Sequence, residues 1–354
     1  MKRLIGSILC VVYLVASGTS AKGQAAKQGS LKTETLASEI LKDNLIGLDP
    51  NRMVKVYLPP GYTNSKKAYP VVYYLHNAFS NVDAAFQDGN LLKLVDRAFA
   101  SNVVHEFILV AADYSSPTTG SMYENSTTSG RWLDFTVNEL VPFIDGKFRT
   151  LSSRDSRAVV GHFFGGRGAL KLAMTHAEVF SVAYAMHPVA TGNGDLPWAN
   201  LDIDWSKIKD AQTFQELAGL GRTQIFVAIS QGFLPNPNRP PFYCDFFVDF
   251  ENGQPKLNPE MVSRAKKEFH LEETLEESAA NLRSMRGIAF DWGRFDQTQA
   301  HVISSRTLSR KLIDYGVEHE AEEYNGDPWS KIWIDDGRFY TRVLPFLGRK
   351  LVFE

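Results

Sequence analysis

Cysteine is almost absent, with only Cys10 and Cys244 in 354 residues. Cys10 falls in an N-terminal segment that reads as removable. Cys244 is then alone, which excludes an intramolecular disulfide and a cysteine-based metal cluster. An excess of one charge is lacking as well. The chain has 38 Lys and Arg against 40 Asp and Glu, a formal net charge of -2, so nothing favours attraction to nucleic acid or an anionic membrane surface. No internal repeat, low-complexity tract or heptad pattern is visible, which sets aside a repeat scaffold. Nor does the N-terminal apolar run, residues 4–16, reach the roughly 20 residues needed to span a bilayer. That run follows Lys2 and Arg3 and leads into small and polar residues near 19–25, the layout of a secretory signal peptide. Residues 1–25 are therefore expected to be removed, leaving a secreted or periplasmic chain with no membrane span; an uncleaved anchor is the competing reading.

What is present suits one large α/β domain: 44% hydrophobic and 22% charged residues, without a disorder bias. Residues 26–45 are polar and read as a linker, and the domain is assigned to 46–354. Strands are expected at 54–59, 69–76, 107–112, 157–163, 182–186, 224–230, 287–291 and 320–324. Several are near-continuous apolar runs, as in strands buried on both faces. Helices are expected at 91–100, 166–176, 302–315 and 338–351, and Trp132, Phe135, Leu140, Phe143 and Ile144 recur at helical spacing. Alternating strands and helices predict a mainly parallel central sheet with helices on both faces. The stretches 188–221 and 233–242 break the alternation and read as insertions over the C-terminal edge of the sheet, where ligands usually bind.

Residues 161–170 run Gly161-His162-Phe163-Phe164-Gly165-Gly166-Arg167-Gly168-Ala169-Leu170. In a G-x-S-x-G elbow the central serine sits on a strained strand-to-helix turn that presents its hydroxyl, and the next backbone N–H helps to bind an oxyanion. Here Phe163 stands at the centre. A benzyl group cannot attack a carbonyl.

With this elbow, Val56-Tyr57-Leu58-Pro59-Pro60-Gly61-Tyr62, Tyr74-Leu75-His76 and Glu139-Leu140-Val141-Pro142-Phe143-Ile144-Asp145, the chain resembles the esterase family of the α/β-hydrolase superfamily. That group includes esterase D, feruloyl esterases and mycolyltransferases, and the resemblance covers most of residues 45–352. It implies an α/β-hydrolase fold, no cofactor, and a triad in the chain order serine, acid, histidine. Asp296 matches the acid. Phe163 replaces the serine, and Pro328, in Tyr324-Asn325-Gly326-Asp327-Pro328-Trp329, replaces the histidine. Proline offers no nitrogen that can take a proton. The resemblance further places oxyanion donors at the Phe164 N–H and at Asn77 with Ala78.

Arg131, Trp132 and Trp329 are candidates for the lining of a binding pocket, against a plain packing role for Arg131 and Trp132. His162 is expected to point away beneath the turn as a packed histidine. His301 can pair with Asp296, although a surface or helix-capping role is the more ordinary reading; His187 is a further possible base. Cys244 reads as an inert buried thiol. Asp291, Asp296 and Asp327 together are a loose count of cation ligands, and no metal site is assigned. The function expected is that of a hydrolase-like pseudoenzyme, with a small molecule or carbohydrate as possible ligand and a protein partner left open. The alternative is an active carboxylic-ester hydrolase, of carbohydrate or feruloyl ester type, or another enzyme with a remodelled site.

Overall fold

The computed structural model describes residues 28–87, 90–193 and 203–354; the expected signal peptide at 1–25 lies outside the described residues. In chain order the strands are β1 (Ser30–Ala37), β2 (Asn51–Leu58), β3 (Val71–Leu75), β4 (Ile108–Ala112), β5 (Asn125–Ser126), β6 (Gly130–Arg131), β7 (Arg157–His162), β8 (Val182–Met186), β9 (Val248–Glu251), β10 (Gln254–Leu257), β11 (Gly287–Gly293) and β12 (Glu320–Tyr324). Eight of them form one sheet in the order β1-β2-β4-β3-β7-β8-β11-β12. β2 is antiparallel to both of its neighbours, β1 and β4, and the other pairings in the sheet are parallel. The helices are α1 (Val82–Gln87), α2 (Asn90–Ala100), α3 (Trp132–Asp134), α4 (Val141–Lys147), α5 (Phe164–Thr175), α6 (Trp205–Asp210), α7 (Arg222–Phe233), α8 (Pro259–Phe269), α9 (Leu275–Ser284), α10 (Gln299–Asp314) and α11 (Leu344–Lys350).

Every residue of β3, β4, β7, β8 and β11 is buried, which is why β3, β4 and β8 read as unbroken apolar runs rather than alternating ones. The pleat still sorts them by face. Val71, Tyr73 and Leu75 pack with Trp132, Phe135 and Leu172 on one side, whereas Val72 and Tyr74 pack with Leu94, Val95, Leu344 and Leu347 on the other. The expected α/β-hydrolase fold, a mainly parallel sheet covered on both faces, is what the chain adopts.

Two expectations are corrected. Within the proposed linker, Ser30–Ala37 is an edge strand in full register with β2; most of its side chains are solvent-exposed, so it lacks the apolar alternation that marks a half-buried strand. The run at 224–230 is helical, inside α7. It is buried nearly all round, and a short continuous apolar run has no periodicity that separates a buried strand from a buried helix.

Residues 203–286 carry α6 to α9 and the β9–β10 hairpin. Where two insertions were expected at 188–221 and 233–242, with 194–202 outside the described residues, the packed block extends through α7 and on to α9; its aromatic core, including Trp205, Phe226, Phe242 and Phe247, is continuous with Phe163 and Phe164. Arg167, on α5 and fully buried, ties the two together. Its guanidinium pairs with Glu124 at 2.7 Å and donates to the Glu268 carbonyl at 2.8 Å and the Phe269 carbonyl at 3.2 Å. Among the described residues no helix is long and apolar enough to cross a membrane.

The glycines of the elbow are set by close approach. A Cβ on Gly161 would lie 2.0 Å from the Gly165 carbonyl oxygen, and one on Gly165 would lie 2.0 Å from that of Leu75. Gly165→Ala should therefore cost at the upper end of the roughly 1–3 kcal/mol typical of overpacking, or more. Gly146→Ala, at an exposed position of α4 where nothing lies within 4 Å, should be neutral or stabilising by up to about 1 kcal/mol. Urea unfolding of the two variants beside the parent protein measures both differences.

Candidate active site

Strand β7 ends at His162 and α5 starts at Phe164, so Phe163 alone makes the turn, with φ 57° and ψ -115°. This is left-handed backbone for a bulky residue, which costs about 1–3 kcal/mol and persists only where the surroundings over-determine it. The Phe163 N–H donates to the Met186 carbonyl at 3.0 Å, and the Phe163 carbonyl accepts from Arg167 N–H at 3.0 Å. The strand–turn–helix geometry of the elbow is present, with a phenyl ring at its centre.

That ring is 8% exposed and sits in an aromatic box. It stacks on His187 (5.9 Å, 12°), meets His301 edge to face (5.2 Å, 89°), and contacts Trp329 (5.0 Å) and Phe164 (5.8 Å). Trp329 thus forms one wall around the Phe163 ring and remains 52% exposed.

Asp296 lies just past β11 and is joined to both histidines of the box. His187 Nε2 donates to Asp296 Oδ2 at 2.8 Å and His301 Nδ1 donates to the same oxygen at 2.7 Å. Oδ1 accepts the Thr298 N–H at 2.8 Å, where α10 begins. Burial alone would raise the Asp296 pKa, but these hydrogen bonds outweigh it and hold the carboxyl well below its usual range. The reading of His301 as a surface or capping residue is corrected: it is an Asp-paired histidine in ring contact with position 163. The spacing carried the signal, because five residues spanning a strand end and the first turn of a helix fold back on themselves.

The same geometry decides between a proton and a metal. The ligand atoms of His187, Asp296 and His301 lie within 4.8 Å of one another, which is close enough for a cation. The Gly293 N–H, however, donates to His187 Nδ1 at 3.0 Å, so Nδ1 is the acceptor and Nε2 carries the proton of the neutral ring. A protonated Nε2 is a donor to Asp296, not a metal ligand. The loose cation set of Asp291, Asp296 and Asp327 does not assemble either. Asp291 accepts from Tyr184 and Arg338 at 2.7 and 3.0 Å, and burial raises its pKa against their pull. Asp327 caps the turn at Trp329 and Ser330.

The remaining candidates divide. Asn77 and Ala78 follow β3 and are buried; Ala78 belongs to the same apolar cluster as Phe163 and Phe164. Phe164 opens α5, so its N–H is one of the first-turn amides that lack an intrahelical acceptor. His76 shapes this loop: it accepts the Tyr114 N–H at Nε2 (2.9 Å) and donates from Nδ1 to the Asn77 carbonyl (2.9 Å). Arg131 and Trp132 are corrected. Arg131 is exposed and pairs with Asp134, and Trp132 is a core ring between Tyr114 and Phe135 whose indole donates to the Ser129 carbonyl. Their place just ahead of a helix made them look like a pocket mouth, but the helix turns them into core and surface.

Pro328 brings no base to the elbow. Its carbonyl accepts from His162 Nε2 at 2.9 Å. His162 is a packed histidine, as expected, but it does not simply face away. It meets Trp329 edge-on at 5.1 Å and supports the loop that carries it, and burial lowers its pKa to about 4, so it is neutral at pH 7. Cys244 is buried, and burial pushes its thiol pKa well up, which leaves it a poor nucleophile.

Comparison with known proteins accords with this geometry. A family model described as "Putative esterase" matches residues 47–336, a span that includes the elbow, Asp296 and the Pro328 loop. Esterase Rv1288 of Mycobacterium tuberculosis is 31% identical over 166 residues, covering 44% of this chain and 34% of that protein. Endo-1,4-beta-xylanase Y of Acetivibrio thermocellus is 27% identical over 207 residues, covering 55% of this chain and 18% of that protein. The chain thus spans only a minor part of these relatives. Among solved structures, a ferulic acid esterase superposes with TM-score 0.61 at 20% identity, covering 92% of this chain and 99% of that one. An S-formylglutathione hydrolase from Agrobacterium tumefaciens gives TM-score 0.59 at 17% identity, covering 93% and 98%. The chain belongs to the esterase family and has its α/β-hydrolase fold, with phenylalanine at the elbow and with an acid joined to two histidines beside it.

Proposed function

We propose that this protein is an exported esterase-family member that binds a small-molecule or carbohydrate ligand at the elbow and forms no acyl-enzyme. One observation carries the reading: the Phe163 ring fills the place of the nucleophile and is enclosed by His187, His301, Phe164 and Trp329. No hydroxyl or reactive thiol stands at the turn. Amides at Phe164 and in the Asn77–Ala78 loop remain suited to a carbonyl or carboxylate oxygen, and such donors bind without attacking. The relatives described as ferulic acid esterases make esters of aromatic acids the first ligands to try. Export rests on the composition of residues 1–25.

A second reading, an active ester hydrolase with a remodelled site, is favoured by the Asp296–His301 pair. A histidine held by a carboxylate is the general base of this chemistry, and water is the only nucleophile such a site would need. Assay of the purified mature protein against a panel of acyl esters separates the two. The first reading expects no turnover beyond the roughly 10³–10⁴-fold over water that binding and an oxyanion site leave by themselves. Clear turnover that falls in Asp296→Asn would overturn it in favour of the second.

Two further outcomes are expected. Phe163→Ser alone, with Pro328 untouched, should raise ester hydrolysis by about 10²-fold or more, because the Asp296–His301 pair already adjoins position 163. A requirement for Pro328→His in addition would show that His301 cannot reach the hydroxyl. Asp296 has a folded-state pKa below its unfolded value. Its stabilising contribution is therefore full above the unfolded pKa of about 4 and is lost as pH falls further. Asp296→Asn should be less stable than the parent protein at pH 7, with the gap narrowing below about pH 4; thermal melts across pH 3–7 measure it.

A further inference from the structure

The two outer strands of the large sheet are built differently. β12 is five residues long, and its Glu320, Glu322 and Glu323 are each paired with an arginine of their own chain. A short, charged edge of that kind is protected against pairing with another strand. β1, at the opposite edge, has eight residues in unbroken register with β2 and contains neither a proline nor a bulge. Such an edge is a template for a further strand. It lies four strands from β7 in the sheet order, roughly 19 Å away at the usual strand spacing, and so is separate from the elbow.

Hydrogen bonds at the ends of the strands fix which backbone groups of β1 face outward. The Ser38 N–H donates to the Pro50 carbonyl at 3.0 Å, one step beyond the Ala37–Asn51 pair, and on the other side of β2 the Asp113 N–H donates to the Met53 carbonyl at 2.8 Å. In an antiparallel ladder, bonded and non-bonded pairs alternate. Both bonds give the same parity: Ser30, Lys32, Glu34 and Leu36 bond to β2, whereas the N–H and C=O groups of Leu31, Thr33 and Thr35 point away from the sheet. These three residues are exposed, and among the described residues their backbone groups have no partner.

The side chains select the strand that fits. Two copies of β1 related by a two-fold axis can bond only in registers that set outward-facing residues opposite one another. With Thr33 opposite Thr33, Leu31 meets Thr35, and Lys32 falls opposite Glu34 of the second copy. That ion pair forms twice, at non-bonded positions where side chains lie closest. Centring the axis on Lys32 or on Glu34 instead sets lysine against lysine or glutamate against glutamate, and like charges directly opposite destabilise. Glu34 Oε2 already receives Lys147 at 2.5 Å, which leaves Oε1 for the second lysine. We propose that β1 is a dimerisation edge, on which two copies of this chain pair antiparallel about Thr33 and join their sheets into one.

Sedimentation velocity of the mature protein from about 1 μM to about 1 mM, with native mass spectrometry of mixtures, tests this. The parent protein should dimerise with a Kd on the order of 10 μM. Thr33→Pro removes an outward-facing N–H and no bond to β2, and should be monomeric throughout. Lys32→Glu and Glu34→Lys should each weaken the dimer tenfold or more when measured alone. An equimolar mixture of these two variants should form a heterodimer about as tight as the parent dimer, because every position then faces its opposite charge. A parent protein that stays monomeric at all concentrations, a dimer that survives Thr33→Pro, or a mixture that associates no better than its components would overturn the assignment. The mixture decides the register even if Thr33→Pro fails to fold, since Lys32 is exposed and Glu34 partly so.

Discussion

The contact on which this molecule depends is the crossing of α5 over the ends of β3 and β7. Gly161 and Gly165 bring the helix backbone so near the strands that a single methyl group would collide with a carbonyl oxygen at 2.0 Å. The chain has one way to make that crossing, a turn at Phe163 with φ 57°. In a serine hydrolase the strain of such a turn presents a nucleophile. Here the strain remains with no hydroxyl to present, held by the bonds of Phe163 to Met186 and Arg167 and by the buried Arg167, whose bonds to the Glu268 and Phe269 carbonyls lock α5 to the insertion. The turn is held by these bonds and by packing around the Phe163 ring.

Asp296 is the second fixed point. One carboxylate oxygen receives His187 from the end of β8 and His301 from the first turn of α10, while the Gly293 N–H fixes the His187 tautomer from behind. The base that the family resemblance places after the last strand is absent at Pro328, yet an Asp–histidine pair adjoins the elbow from a different direction. Position 163 presents an aromatic ring, and an Asp–histidine pair and the first amides of α5 stand around it.

The sheet was legible because strands buried on both faces must be continuous apolar runs, as 71–75 and 108–112 are, and the elbow was legible because its glycines leave no alternative. Legibility failed wherever a residue's role is set by tertiary contacts. Ser30–Ala37 is polar because it is an exposed edge, and the apolar run inside α7 is buried nearly all round, so it carries no periodicity that separates a helix from a strand. The five-residue spacing from Asp296 signals the pairing of His301, but position along the chain gives no sign that the His301 ring lies against Phe163. Arg131 and Trp132 erred in the opposite direction: nearness to a helix start suggested a pocket where the fold makes core and surface.

The central claim, that the elbow carries no nucleophile, is tested most directly by intact-mass spectrometry of the mature protein after exposure to excess fluorophosphonate or an activated aryl ester. The account predicts an unchanged mass in the native protein. A stoichiometric adduct mapped to the elbow segment, or to any residue of the box around Phe163, would contradict it.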